Sequence, residues 1–200
     1  MSVRQLKVGT EQNFVYLLVD EPTGEAMVID SGWEIDPILS VASHEGLEVK
    51  YAAVTHRHSD HSSTVWQLAQ ALDAKVVAYR DSPVTHDISV DEGDELWVGR
   101  SKVTVLHTPG HTEDSICLYD SADLFTGDTL FIGNCGRTDL FGGSSRKMFR
   151  SLRRILELPP ATIIYPGHDY GDAPFRELSE EARLNPTLSA KTYAQFLAVP

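Results

Sequence analysis

The chain has 200 residues, 42% hydrophobic and 23% charged, with 14 glycines and 10 prolines; that balance fits one globular domain and excludes collagen-like, low-complexity and disordered classes. Seventeen Lys and Arg against 29 Asp and Glu leave a net charge of −12, so the overall field repels a phosphate backbone and nucleic acid is not expected as a partner. The longest apolar runs, Phe14–Val19 and Tyr51–Val54, fall far short of the ~20 residues a bilayer-spanning helix needs. The two cysteines, Cys117 and Cys135, are too few for a disulfide scaffold, and the opening MSVRQLKVGTEQNF carries no apolar signal stretch, which makes the cytoplasm the expected location.

Hydrophobic alternation predicts strands at 3–8, 14–20 and 26–30, with a Pro22-Thr23-Gly24 turn before the third. Asp36 as N-cap and Pro37 at the first helical position start a helix expected to reach about Glu45. A buried strand follows at 49–55. A polar loop from His56 to Ser63 leads into a helix over 64–72 and a strand at 75–79. Past Asp91-Glu92-Gly93-Asp94, short strands are expected at 95–98, 102–108, 115–119 and 124–126, then a helix at 146–156 and a last strand at 162–165. Two β-rich halves, each ending in helices, predict a single α/β domain over residues 1–200 with two sheets face to face and helices outside.

The chemistry gathers just past predicted strand ends. Thr55-His56-Arg57-His58-Ser59-Asp60-His61 places four metal-competent residues within six positions. In extended backbone His56 and His58 face the same way while the adjacent Asp60 and His61 diverge, so this one loop is expected to serve two neighbouring metal ions. His111, Asp128 and His168 each follow a glycine and a predicted strand, and loops at one rim of a sandwich converge without sequence proximity. No G-x-S-x-G, G-x-x-x-x-G-K-[ST] or G-x-G-x-x-G pattern occurs, so serine-hydrolase, P-loop and Rossmann readings lack support. Cys135 is read as filling a tight turn, since nothing fixes a base beside it. Cys117 is read as core, and His44, His86 and His107 as surface or structural. Arg137, Arg146, Lys147, Arg150, Arg153 and Arg154 are opposed within their segment only by Asp139, and those on the helix, Arg146 to Arg154, are read as a solvated basic face.

On these residues the sequence resembles the metallo-β-lactamase superfamily, whose H-x-H-x-D-H motif stands here as His56, His58, Asp60 and His61, with later ligands matching His111, Asp128 and His168. The resemblance implies a four-layer αββα sandwich. It also implies a first metal on His56, His58 and His111, a second on Asp60, His61 and His168, and Asp128 bridging them, with Asp60 and Asp128 at the centre of catalysis. Asp30, in Val28-Ile29-Asp30-Ser31-Gly32, matches an early Asp that supports the site without binding metal. Gly127-Asp128-Thr129-Leu130-Phe131 and Cys135-Gly136-Arg137 resemble glyoxalase II, a thioester hydrolase. Gly136-Arg137-Thr138-Asp139, the Tyr165–Tyr170 segment and the Glu180–Pro186 tail resemble the persulfide dioxygenases, which use one iron. Arg137 and Tyr170 match substrate-pocket residues of the glutathione-using relatives.

The same residues license two reactions. Two divalent ions, expected to be zinc, would lower the pKa of a bound water from 15.7 toward ~7 and polarise a carbonyl, which suits hydrolysis of a glutathione-like thioester; a thiolate leaving group, whose parent thiol has a pKa of about 8.5, needs no dedicated acid. His56, His111 and Asp128 alone form a 2-His-1-carboxylate set that suits one Fe(II), O₂ and glutathione persulfide. Few residues follow His168, too few for the helical substrate domain of full-length glyoxalase II. The expectation is therefore a short glyoxalase-II-like hydrolase of a small thiol-derived substrate, with the iron-dependent persulfide dioxygenase as the alternative. Arg57, Ser59 and Ser62–Thr64 favour the first, because they depart from the small neighbours common in the dioxygenases. Homo-oligomers are compatible with either.

Overall fold

Strand alternation divides the apolar residues of single strands between two cores. In β2 (Asn13–Asp20) Phe14, Tyr16 and Leu18 enter one core while Val15, Leu17 and Val19 enter another, the period-2 pattern of a strand covered on both faces. The structure is a computed structural model that describes residues 1–199. Its first sheet runs in chain order through β1 (Ser2–Val8), β2, β3 (Glu25–Ile29), β4 (Glu48–Ala53), β5 (Lys75–Tyr79) and β6 (Ile88–Val90), antiparallel from β1 to β3 and parallel from β3 to β6. The second holds β7 (Glu95–Val98), β8 (Ser101–His107), β9 (Ile116–Tyr119), β10 (Asp123–Gly127), β11 (Ile163–Pro166) and β12 (Arg176–Glu177). Only its β10–β11 pair is parallel.

Three apolar clusters define the layers. Helices α1 (Asp36–Glu45) and α3 (Val65–Leu72), separated by the short α2 (Ser59–Ser62), send Ile38, Ala42, Val65, Leu68 and Ala69 against the outer face of the first sheet. The inner faces of both sheets meet around Phe125, Leu18, Met27 and Leu118. Helix α4 (Ser145–Ile155) covers the second sheet through Met148, Leu152 and Ile155, joined by residues of α5 (Leu178–Leu184), α6 (Pro186–Ser189) and α7 (Tyr193–Leu197). The result is the expected αββα stack. No described helix is long and apolar enough to cross a membrane.

The structure departs from the sequence-derived elements at α1, at Ser59–Ser62, in the short strands and in the tail. Ile35, not Asp36, is the N-cap of α1, and Asp36 stands in the first turn with no side-chain cap bond; there its charge faces the positive end of the helix dipole. Ser59–Ser62 is a helical turn rather than extended loop. Strand β6 has three residues, too few for periodicity to register. The tail helices, of seven, four and five residues, are likewise below the length at which a helical pattern declares itself. They depend on tertiary anchors: Asn185 Nδ2 donates to the carbonyls of Phe131 (3.3 Å) and Asn134 (3.0 Å), and Glu181 Oε1 accepts from Gly133 N. The basic face of α4 is also less free than its own segment suggests, since Lys147 pairs with Glu113 and Arg154 with Glu92.

Phe125 is fully buried between the sheets, edge-on to Tyr16 at 5.1 Å and stacked on Tyr165 at 5.2 Å. Phe125→Ala is expected to lower unfolding free energy by about 3–5 kcal/mol, whereas Trp97→Ala, at a side chain 52% exposed, should stay within about 0.5 kcal/mol. Urea denaturation of both variants checks this.

Candidate metal centre

The carboxyl ends of β3, β4, β8, β10 and β11 deliver Asp30, the His56–His61 loop, His111, Asp128 and His168 to one rim. The structure brings all eight together. His58 Nδ1 lies 3.1 Å from His56 Nε2 and 2.9 Å from His111 Nε2. His61 Nε2 lies 3.2 Å from both His168 Nε2 and Asp60 Oδ2. Asp128 stands between the two groups: its Oδ2 is 3.4 Å from His111 Nε2 and 4.0 Å from His56 Nε2, and its Oδ1 is 3.3 Å from His61 Nε2 and 3.5 Å from His168 Nε2. Asp60 and His61 do not diverge as extended backbone would require. The helical turn of α2 sends both to the His168 side.

Four of the five rings are held from outside, while His58 turns its Nδ1 inward. Asp30 Oδ2 accepts from His61 Nδ1 at 2.8 Å and from Thr55 Oγ at 2.8 Å, while Asp30 Oδ1 accepts from Thr55 N at 2.8 Å. With its proton given to Asp30, Thr55 Oγ can accept from His56 Nδ1, 3.1 Å away. His111 Nδ1 donates to the Arg137 carbonyl at 2.7 Å, and His168 Nδ1 to the Glu11 carbonyl at 3.0 Å. These four outer bonds place the ring proton on Nδ1 and leave the Nε2 lone pairs facing inward, the tautomer a metal ligand needs. Thr55, Glu11 and Asn13, whose Nδ2 donates to Asp60 Oδ2 at 3.0 Å, are site residues that the sequence pattern did not single out; they act through a hydroxyl, a carbonyl and an amide, which leave no motif. Gly167 serves by close approach rather than by a left-handed turn, because a Cβ there would lie 2.5 Å from Asp128 Oδ1.

The charges show what the donor set lacks. Burial, reinforced by neighbouring histidines, pushes His56 well below the usual imidazole value. Burial opposes charge on His61 and His168 too, yet Asp128 and Asp30 raise His61 well above its ordinary value, and Asp128 and Asp60 carry His168 up to about 9. Burial would likewise raise the two carboxyls, but the facing His61 and His168 hold both Asp60 and Asp128 below the usual carboxylate range. Asp128 Oδ1 is buried and has only the ion-pair contacts to His61 at 3.3 Å and His168 at 3.5 Å, with no well-aligned hydrogen bond, a position that suits a cation. A metal cation fits this set: bound here, it would take the place of the imidazolium protons and give Asp128 Oδ1 a partner.

A cavity of about 710 Å³ opens onto the centre, lined by His58, Asp60, His111, Asp128, His168, Arg137, Tyr170, Phe131, Ile132 and Leu140 among others. Arg137 and Tyr170 both line this cavity, Tyr170 stacked on His168 at 4.5 Å and Arg137 paired to Asp139 at 2.7 Å. Cys135 also reaches the cavity, but burial pushes its thiol up to about 11, so it is protonated and a poor nucleophile at neutral pH. Cys117 is buried in the core.

A folded-state value of about 9 for His168, above the ~6.5 of an unfolded chain, contributes stability that is full below pH ~6.5 and lost as pH rises through ~9. Chelator-treated protein should therefore melt at a lower temperature at pH 9.5 than at pH 7, and zinc should remove most of that drop by taking the proton's place; a rise over the same interval in metal-free protein would contradict the charge assignment. Asp128→Ala, which removes the carboxylate common to both groups, should cut bound metal and turnover together, by roughly a hundredfold in affinity. Elemental analysis beside a rate measurement checks it, and wild-type metal content in the variant would sink the role of Asp128.

Comparison with known proteins agrees with this geometry. The metallo-β-lactamase superfamily model matches residues 8–87 and 78–168. The chain is 33% identical to a probable polyketide biosynthesis zinc-dependent hydrolase, PksB, of Bacillus subtilis, over 84% of this chain and 78% of that protein. It is 39% identical to a hydroxyacylglutathione hydrolase of Cereibacter sphaeroides, over 79% of this chain but 63% of that protein, so the chain spans less than two thirds of the length of that relative. The mitochondrial persulfide dioxygenase ETHE1 of Homo sapiens is 34% identical over 98% of this chain and 80% of its own length. The crystal structure of ETHE1 from Myxococcus xanthus superposes with a TM-score of 0.93 at 35% identity, covering 100% of this chain and 89% of that one. By fold, ligand pattern and these similarities, the chain belongs to the metallo-β-lactamase superfamily.

Proposed function

We propose that the protein is a metal-dependent hydrolase that cleaves a small thioester of a glutathione-like thiol, with two divalent ions, zinc in the first instance, held by His56, His58 and His111 on one side, Asp60, His61 and His168 on the other, and Asp128 common to both. The observation that carries this reading is the position of Asp128, which turns one carboxylate oxygen toward each histidine group. Ions held there would supply Lewis acidity and a water activated at neutral pH. The chain's own residues do the rest. Asp60, kept ionised by His61 and His168 and lining the cavity, would give its ion an anionic ligand on the side that faces substrate. Arg137 meets a carboxylate of the substrate, and the Tyr170 ring, stacked on His168, walls the cavity beside it. The departing thiolate is stable enough to leave without a dedicated acid. The likeness to PksB supports a zinc-dependent hydrolase of comparable length.

A second reading, an iron-dependent persulfide dioxygenase using His56, His111 and Asp128, is favoured by one observation: the match to the ETHE1 proteins runs nearly end to end, including the tail in which Glu181 and Asn185 pin the Phe131–Asn134 loop at the cavity. Metal identity separates the two, because a 2-His-1-carboxylate set with open positions suits Fe(II) and O₂. Protein purified without added metal should release thiol from a small glutathione thioester faster than it consumes oxygen with glutathione persulfide, and zinc reconstitution should preserve that order. Oxygen uptake well above thiol release in the native preparation would overturn the hydrolase reading and establish the dioxygenase.

A further inference from the structure

The residue between the first two histidines of the motif is an arginine. Arg57 turns away from the metal ligands, with its side chain only 20% exposed. Its Nη2 donates to the Phe141 carbonyl, and its guanidinium carbon lies 5.3 Å from the centre of the Phe141 ring. Behind it Nε lies 4.0 Å from Oδ1 of the buried Asp114, an oxygen with no other partner, while Asp114 Oδ2 accepts from Ser82 Oγ at 2.6 Å. The receiving loop is shaped for this contact. Gly142 has φ +84°, and a Cβ there would collide with Arg57 Nη2. A bond from Gly143 N to the Leu140 carbonyl, 2.8 Å, closes the turn.

We propose that Arg57 is a positioning residue that clamps the Thr138–Gly143 loop and so sets the shape and substrate preference of the cavity. The loop and its stem contribute Leu140 and Arg137 to the cavity wall, and the next residue, Phe141, is 91% exposed. From the loop the chain passes directly into α4, with Ser144 N donating to the Gly110 carbonyl beside His111 at 2.8 Å. One guanidinium therefore ties the wall that meets substrate to the segment that carries His56 and His58. An unclamped loop with two adjacent glycines would have to be ordered by each arriving substrate, and that ordering cost appears in binding rather than in the chemical step. A lysine would keep the charge beside Asp114 but not the planar fork that also reaches Phe141.

The kinetic arm of the test rests on the hydrolase reading; the proteolytic arm does not. For Arg57→Ala and for Gly142→Ala, which disturbs the clamp from the loop side and leaves the Asp114 pair in place, KM for a small glutathione thioester should rise roughly tenfold, the scale of one lost charge-assisted hydrogen bond. kcat should hold within about twofold and bound zinc should be unchanged, with Arg57→Lys recovering part of the loss. In zinc-loaded protein, chymotrypsin should cleave after Phe141 at least about tenfold faster in both variants than in wild type, since opening the loop exposes its backbone. Wild-type cleavage rates in both variants, or a fall of zinc and kcat together at constant KM, would overturn the clamp. If the wild-type protein does not cleave the thioester, it is the hydrolase reading that fails, and the cleavage rates still decide the role of Arg57.

Discussion

A buried carboxylate facing histidines from three separate loops is the constraint around which the rest of this protein is arranged. Asp128 has one oxygen toward His56 and His111 and the other toward His61 and His168. A buried anion of this kind is costly unless it is paired. The surrounding carboxylates in turn raise both His61 and His168 above the ordinary imidazole value, which favours their positive forms beside the anion. The same arrangement makes the centre a cation trap, because a divalent ion satisfies the carboxylates without forcing charge onto buried imidazoles. Stability and function therefore draw on one electrostatic need.

Holding that carboxylate in place requires the layered architecture. Strands whose two faces both enter apolar cores cannot slip by one residue without exchanging one core for the other. The register that buries Val28 and Ile29 also fixes where the chain leaves β3 at Asp30, and the register of β10 fixes where it leaves at Asp128. Loops at the carboxyl ends thus inherit their precision from core packing. Fine orientation comes from the outer hydrogen bonds: Asp30 reaches both His61 and Thr55, and the carbonyls of Glu11 and Arg137 hold His168 and His111. Such partners set tautomer and aim as effectively as the ligands themselves.

The tail and α4 extend the same logic from the metal centre to the cavity. Asn185 and Glu181 hold the Phe131–Asn134 segment, and α4 begins directly after the loop that Arg57 grips. The cavity wall is thereby built from parts of the chain with little secondary structure of their own, fixed by side chains arriving from elsewhere. Reactions that differ in metal and substrate can share the inner ligand set while differing in this wall, which is how one fold hosts several chemistries.

The sequence by itself determined most of the architecture and the identity of the metal-competent residues. Long alternating strands such as Asn13–Asp20 and the His56–His61 cluster are local patterns, and local patterns are legible one residue at a time. The α1 and α3 helices were legible for the same reason, through their apolar spacing and flanking residues. What only tertiary structure decided is whatever depends on residues distant in the chain. The helical turn that aims Asp60 and His61 at one group, the short tail helices anchored by Asn185 and Glu181, and the carbonyl groups of Glu11 and Arg137 that orient two histidines have no sequence signature. A backbone carbonyl is the same at every residue. Its role is set by where the fold puts it.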